Sequence, residues 1–259
     1  MAIVRLNKEN LADEHICCAI ADKKNQPGVD LKKAWLALRF AEGMRFNKLD
    51  ERGKVFIEYI PAEFAWRPVI ANGYMLIHCL WVSGKFKNQG YAKALLQTCL
   101  DDAASMNGVA MVTSKETFLT DKKFFKLQGF QQCDEAPPYF ELMVKKNDAQ
   151  AADPHFSETA KSLHIEQNKG LYFLYSDQCP FLNYYIAEMA SIAIERNIPT
   201  KKHKLLSAVE VRELCSAYGT FNVYYNGSFL THKPVTAKHM AALLDAADNK
   251  TQDRNQHER

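Results

Sequence analysis

The residues with the plainest chemical potential share one short turn. Ser83-Gly-Lys-Phe-Lys-Asn-Gln-Gly-Tyr-Ala92 follows a long apolar run and precedes a strongly periodic segment. A turn entering a helix leaves several backbone N–H groups unpaired, and the helix dipole adds positive charge at that end. Such a mouth suits phosphate groups. Gly90 lets the backbone approach a ligand closely, and Lys87 and Lys93 add charge. A second set of residues suits proton transfer: Glu58 inside an apolar run, Glu63 in the loop Pro61-Ala-Glu-Phe-Ala-Trp-Arg-Pro68, and His78 in the longer apolar run. A carboxylate near Phe64 and Trp66 would attract a cationic amine and, where desolvated, accept its proton. Two plainer readings stand beside these: Glu63 as a solvated loop residue paired with Arg67, and His78 as a packed, hydrogen-bonded strand histidine. A third feature is Cys179 in Ser176-Asp-Gln-Cys-Pro-Phe181, where a helix opens. That position predicts a lowered pKa and an accessible thiolate.

These groups need elements to hold them. Val55–Ile60 and Tyr74–Val82 read as strands, the latter so continuously apolar that it should be central and buried on both faces. After the turn, Ala92, Leu95, Leu96, Cys99, Leu100 and Ala103 give one buried helical stripe. Residues 9–22 and 30–42 carry helix-like spacing, the second with Asp30 as its N-cap. Residues 108–113 and 139–145 supply further strands. Beyond them, residues 147–161 are small and polar and read as a linker. Leu171–Tyr175 is strand-like, and a helix runs from the Cys-Pro turn to about Arg196. Phe221–Tyr225 and Ser228–Thr231 flank Asn226-Gly227, a two-residue hairpin signal, and Thr236 caps a last helix. The expected organisation is a mixed α/β domain over residues 1–146, a linker at 147–161, a smaller domain at 162–247 and a polar tail at 248–259.

Composition narrows the function classes. A net charge of +3 over 259 residues argues against nucleic-acid and membrane surfaces as partners. No segment holds the roughly 20 apolar residues that a spanning helix needs. Met1-Ala-Ile-Val-Arg-Leu6 lacks the layout of a signal peptide, so a cytoplasmic protein is expected. The seven cysteines have no repeated spacing and include the adjacent pair Cys17-Cys18, which suits reduced thiols. No zinc-type Cys/His spacing occurs, so no metal is expected.

The spacing of the turn and its downstream partner carries a family resemblance. Lys87-x-x-Gly90-x-Ala92 resembles the Arg/Gln-x-x-Gly-x-Gly/Ala signature of the GNAT N-acetyltransferases, and Phe124-Phe-Lys-Leu-Gln-Gly-Phe130 resembles their second landmark. The stretches Phe56-Ile-Glu-Tyr-Ile-Pro-Ala-Glu-Phe-Ala-Trp66 and Cys79-Leu-Trp-Val-Ser-Gly84 resemble the subgroup carrying a C-terminal YoaP-type domain. The resemblance implies a mostly antiparallel mixed sheet with a splayed central strand. It places Leu80, Trp81 and Val82 against the pantetheine arm of acetyl-CoA, the co-substrate. The diphosphate would lie on the amides of Lys87, Asn88, Gln89, Gly90, Tyr91 and Ala92, beside Lys93. It implies direct attack by a small-molecule or peptide amine on the thioester, with backbone N–H groups holding the oxyanion. Glu63, Glu58 and His78 remain alternatives for the base. Phe125, counted on the cofactor side, replaces the tyrosine that often serves as the acid, leaving Tyr139 or a water for that role.

The order strand, Cys-Pro helix, hairpin, helix in the second domain resembles a small thioredoxin or glutaredoxin fold. Leu182 stands where a dithiol would place its second cysteine, and Gly219-Thr220-Phe221 where the fold usually has a cis-proline. A monothiol redox or thiol-binding protein with an acyl-CoA-sensing domain is therefore the alternative function, and a non-catalytic scaffold a third.

Overall fold

The computed structural model describes residues 2–20, 22–116, 118–166 and 169–257, with side chains described as far as Asn249. In chain order the elements are β1 (Ile3–Arg5), α1 (Gln26–Arg39), β2 (Arg45–Leu49), β3 (Val55–Pro61), β4 (Val69–Ile70), β5 (Tyr74–Val82), α2 (Tyr91–Asp102), β6 (Gly108–Thr113), α3 (Lys122–Leu127), β7 (Gln131–Ala136), β8 (Phe140–Lys146) and β9 (His155–Phe156). Then follow β10 (Leu171–Tyr175), α4 (Leu182–Glu195), β11 (Thr200–Lys204), α5 (Ala208–Arg212), β12 (Phe221–Tyr225), β13 (Ser228–Thr231) and α6 (Ala237–His257).

The first seven-stranded sheet runs β1-β2-β3-β5-β6-β8-β7. Every neighbouring pair is antiparallel except β5 with β6. A strand's side chains alternate between faces, so β3 and β5 supply two cores. Ile57, Tyr59, Met75 and Ile77 pack under α2 and α3 with Leu95, Leu96 and Phe125. Phe56, Ile60, Tyr74 and Leu76 pack on the other face with Trp35 and Leu36 of α1. That second core continues without a break into the C-terminal half through Phe173, Ile186, Val223 and Leu244. The second sheet runs β11-β10-β12-β13, with β10 parallel to β11 and antiparallel to β12. Asn226 and Gly227 both take positive φ, 49° and 83°, as a hairpin turn of this length requires.

Several expectations are corrected. Residues 9–22 form turns, not a helix: Asn7 and Asn10 side chains accept backbone N–H groups locally, and Cys17 and Ala19 take positive φ, which a helix does not tolerate. Helix α1 begins at Gln26, with Pro27 in its first turn; Asp30 is inside it, its carboxylate accepting from Gln26 Nε2 at 3.0 Å. Residues 147–161 are not a free linker, because β9 pairs with β4 and both Phe156 and Ala160 are buried. Helix α6 continues past Asp248 to His257, where a polar tail is expected.

Candidate active site

Strands β5 and β6 pair only from Tyr74–Gly108 to Ile77–Met111. Beyond that point β5 stays with β3 as far as Val82, and β6 stays with β8 as far as Thr113. The two central strands therefore part, and the β5 edge from Cys79 to Val82 faces a gap. A bulge in β5 sits at the same place: Glu58 opposes Cys79, Tyr59 opposes Ile77, and His78 is the extra residue. Bulges re-aim side chains, and this one turns the strand where the gap opens.

One end of the gap leads to the turn before α2. Lys87, Asn88, Gln89, Gly90 and Lys93 are exposed, and Tyr91 and Ala92 are half-buried. Gly90 has φ 82° and Asn88 φ 61°. The first bond into the helix is Ala94 N–H to Gly90 O at 3.0 Å, so the amides of Tyr91, Ala92 and Lys93 precede any backbone acceptor. A Cβ built on Gly90 would meet nothing within 4 Å. The cradle is open, positively charged and lined with amides, as a diphosphate requires.

The other end opens into a cavity of 530 Å³ walled by both halves of the chain. Leu80, Trp81 and Thr120 line it on the strand side, and Cys179, Phe181 and Tyr218 on the side of the C-terminal unit. Its polar floor is one connected network. Glu58 Oε2 accepts from Lys32 Nζ at 2.6 Å, and Oε1 accepts from Gln178 Nε2 at 2.8 Å. Gln178 Oε1 accepts from the Thr220 hydroxyl at 2.7 Å and from Arg67 Nη1 at 3.2 Å. Arg67 also donates to Thr220 Oγ1 and to the carbonyls of Trp66 and His78. All these side chains are buried. Two glycines allow the units to dock this closely. A Cβ on Gly28 would lie 1.9 Å from Pro180 O, and one on Gly219, φ 79°, would lie 2.7 Å from Trp66 O.

The network sets the charge states. Burial alone would raise the Glu58 carboxyl, but Lys32, His78 and Gln178 hold it at about 2. Lys32 is raised by the same pairing, against its burial. His78 Nε2 accepts the Trp66 N–H at 3.0 Å, which puts the ring proton on Nδ1, 3.6 Å from Glu58 Oε1. Burial lowers the His78 pKa to about 4, against the pull of Glu58, so the ring is neutral. Burial raises Cys18, Cys79 and Cys179, all on the cavity wall.

The residues singled out in the sequence separate accordingly. Glu58, His78, Leu80 and Trp81 line the cavity, and Val82 is half-buried on the same strand. Glu63 is exposed, accepts from Gly73 N–H at 2.6 Å, and is not a partner of Arg67. Phe125 is fully buried in the core under α2, edge-on to Phe124 and Phe130, and offers no surface to a ligand. Tyr139 hydrogen-bonds His232 Nδ1 at 2.7 Å, outside the cavity. Cys179 is half-buried and its thiol is raised, opposite to the expected lowering, because desolvation outweighs the N–H groups of Phe181 and Leu182. Lys32, Gln178, Tyr218 and Thr220 were not legible as site residues: each sits in an ordinary helical or loop pattern, and docking alone brings them together. Among the described residues no His, Cys, Asp and Glu cluster could hold a metal ion, no helix is long and apolar enough to cross a membrane, and all seven cysteines are free thiols.

A model described as "Acetyltransferase (GNAT) family" matches residues 9–130. The chain is 39% identical over 249 residues to a Bacillus subtilis (strain 168) protein described as "Uncharacterized N-acetyltransferase YoaP", covering 95% of this chain and 99% of that one. Among solved structures, a GNAT-family acetyltransferase from Desulfovibrio desulfuricans is 12% identical with a TM-score of 0.41, covering 57% of this chain and all of that one. A Thermoplasma acidophilum N-acetyltransferase in complex with coenzyme A is 15% identical with a TM-score of 0.38, covering 56% and 99%. On the near full-length relationship to the Bacillus protein, this chain belongs to the GNAT acetyltransferase family.

Proposed function

We propose that the protein is an acetyl-CoA-dependent N-acetyltransferase whose acceptor, a small-molecule or peptide amine, enters the cavity between the two units. The observation that carries this reading is the parting of β5 from β6 beyond Ile77 and Met111, with the amide-lined turn at one end and the cavity at the other. Acetyl-CoA supplies an acyl group already activated as a thioester. The amides from Asn88 to Lys93, with Lys87 and Lys93, hold its diphosphate. The β5 edge at Leu80, Trp81 and Val82, which β6 no longer pairs, pairs with the pantetheine arm, the arm replacing the Thr120 hydroxyl that donates to Leu80 O at 3.1 Å. The β5 N–H groups at the bulge stabilise the oxyanion. Orientation in a water-poor cleft then does most of the remaining work.

Proton handling follows from the charge states. His78 Nε2 is already engaged by an N–H group, and Glu58 is held at about 2 by Lys32. Neither is poised to deprotonate an ammonium, so the amine enters neutral and the pH profile follows the acceptor's own titration. Glu58 and His78 act as positioning residues for Lys32, Gln178 and the Trp66 backbone. Tyr218 lines the cavity, and burial raises its pKa, so it stays protonated and offers a hydrogen bond to the leaving sulfur.

The C-terminal unit is proposed as thioredoxin-like. The order β11-β10-β12-β13, with β10 parallel to β11 and the hairpin antiparallel, supports that assignment. Its Cys-Pro turn serves as a wall of the acceptor cavity. A half-buried Cys179 with a raised thiol does not favour a redox role.

Calorimetric titration of CoA into the full chain and into Gly90→Val tests the donor site. A branched side chain at φ 82° removes close approach to the diphosphate, and at least tenfold weaker binding is expected in a variant that still melts cooperatively. Unchanged affinity would contradict the turn assignment.

A further inference from the structure

We infer that the acceptor amine carries a carboxylate of its own, recognised by Arg67; this rests on the acetyltransferase reading above. The cavity floor holds two cations, Lys32 and Arg67, against one carboxylate, Glu58. Glu58 is already taken up by Lys32 at 2.6 Å. His78 is neutral, and Cys18, Cys79, Cys179 and Tyr218 all have raised pKa values, so the remaining groups facing Arg67 add no negative charge. Arg67 is 3% exposed, and among the described residues no carboxylate lies within ion-pair distance of it. A guanidinium buried without a counter-charge is costly, and a carboxylate on the ligand removes the cost.

The hydrogen-bond inventory agrees. Guanidinium has five N–H donors. Nη1 donates to Trp66 O, Gln178 Oε1 and Thr220 Oγ1, and Nη2 to His78 O, while Nε donates to no acceptor among the described residues. The face of the group rests on the Tyr218 ring, 4.9 Å from its centroid. Nη1 shares its two N–H groups among three acceptors, so Nε–H and one Nη2–H are left over, and such a planar cation suits a planar carboxylate better than a point contact would. An excess of one positive charge matches a monoanion, not a dianionic phosphate. Phe56, Trp81, Leu119 and Phe181 supply apolar wall for the rest of the molecule, and 530 Å³ admits a small one. The chemistry therefore points to an apolar amino acid or a short peptide with its carboxylate folded in beside the amine. This reverses the sign expected from the loop carboxylate Glu63, which accepts from Gly73 N–H and is not among the residues that line the cavity.

The test is a matched set: each apolar α-amino acid beside its carboxamide and its decarboxylated amine, with acetyl-CoA and the full chain, reading acetylated product by mass spectrometry. Amino acids are expected to exceed their matched amides and amines in kcat/KM by at least about 30-fold, the low end of losing one partner of a buried charge pair. In Arg67→Lys and Arg67→Gln that ratio should fall to within about threefold of unity. Because it is a ratio, it is insensitive to the folded fraction, which matters since Arg67 also ties Thr220 and Gln178 to the first unit. Equal or better transfer to the amides and simple amines would overturn the inference and leave the acetyltransferase reading standing. A preference that survives both Arg67 variants would overturn the assignment to Arg67. No transfer in any arm would remove the underlying reading and the inference with it.

Discussion

Two glycines mark the difference between the proposed donor and acceptor ends of the cleft. Around Gly90 a Cβ would meet nothing within 4 Å, while at Gly28 it would meet Pro180 O at 1.9 Å. The first glycine keeps backbone open for a ligand; the second lets one part of the chain close on another. The donor turn is local, with lysines, amides and a positive φ within a few residues of sequence. The acceptor end is assembled, its network running from Lys32 in α1 through Glu58 in β3 to Gln178 and Thr220 in the C-terminal unit. A local site can change without disturbing the fold. An assembled one is part of what holds the fold, so substitutions there should register first in stability.

The sharpest way to break this contrast is Glu58→Ala. It leaves Lys32 buried without its carboxylate, in the same cavity as Arg67, and about 3–5 kcal/mol of destabilisation is expected by urea unfolding. A variant as stable as the parent would show that the network does not bind the units together. Acidification should give the next largest effect. His78 has a folded pKa of about 4 against the usual 6.5, so the unfolded chain takes up the proton first. Its stability contribution is complete above pH 6.5 and is lost as pH falls from 6.5 towards 4, on the order of 3 kcal/mol across that window. Glu58 adds a loss of the same sign between 4.5 and about 2. Unfolding midpoints at pH 7 and pH 5 should differ in the parent and converge in His78→Gln. The smallest effect separates the ends of the cleft. In Gly28→Ala the gain in helix propensity, about 1 kcal/mol, is outweighed by the clash with Pro180 O, for a net loss of about 1–2 kcal/mol. Thermal melts should show that loss, with CoA affinity unchanged because the turn at Lys87–Lys93 takes no part in the Gly28–Pro180 contact. Weakened CoA binding in this variant would mean that the two ends are not separable.

The same contrast explains what could be read in advance. Tyr74–Val82 announced a central strand because it is apolar on both faces, and the periodic stripe after Gly90 announced α2. The turn proposed to hold the diphosphate could be picked out because its lysines, glycine and free amides lie close together in sequence. Residues 9–22 carry helix-like spacing yet form turns, because spacing does not register that Cys17 and Ala19 take left-handed backbone angles. Glu63 drew attention through its aromatic neighbours, yet its carboxylate caps Gly73 N–H, a contact that no periodicity encodes. Lys32 looks like a solvated helix lysine until docking closes over it. Arg67 was visible only as a loop partner for Glu63. Cys179 was expected to be a lowered thiol by its place before a helix; the surface that desolvates it comes from the other half of the chain.

At the centre stands the proposal that the parted strands and the turn before α2 together bind the donor. Hydrogen–deuterium exchange of the full chain with and without saturating CoA tests it most directly. Slower exchange is predicted in peptides covering residues 79–82 and 88–94, which hold the β5 edge that β6 no longer pairs and the Tyr91, Ala92 and Lys93 amides ahead of the first helical bond. Protection confined to other segments, or exchange at 79–82 and 88–94 unaltered by bound CoA, would contradict it.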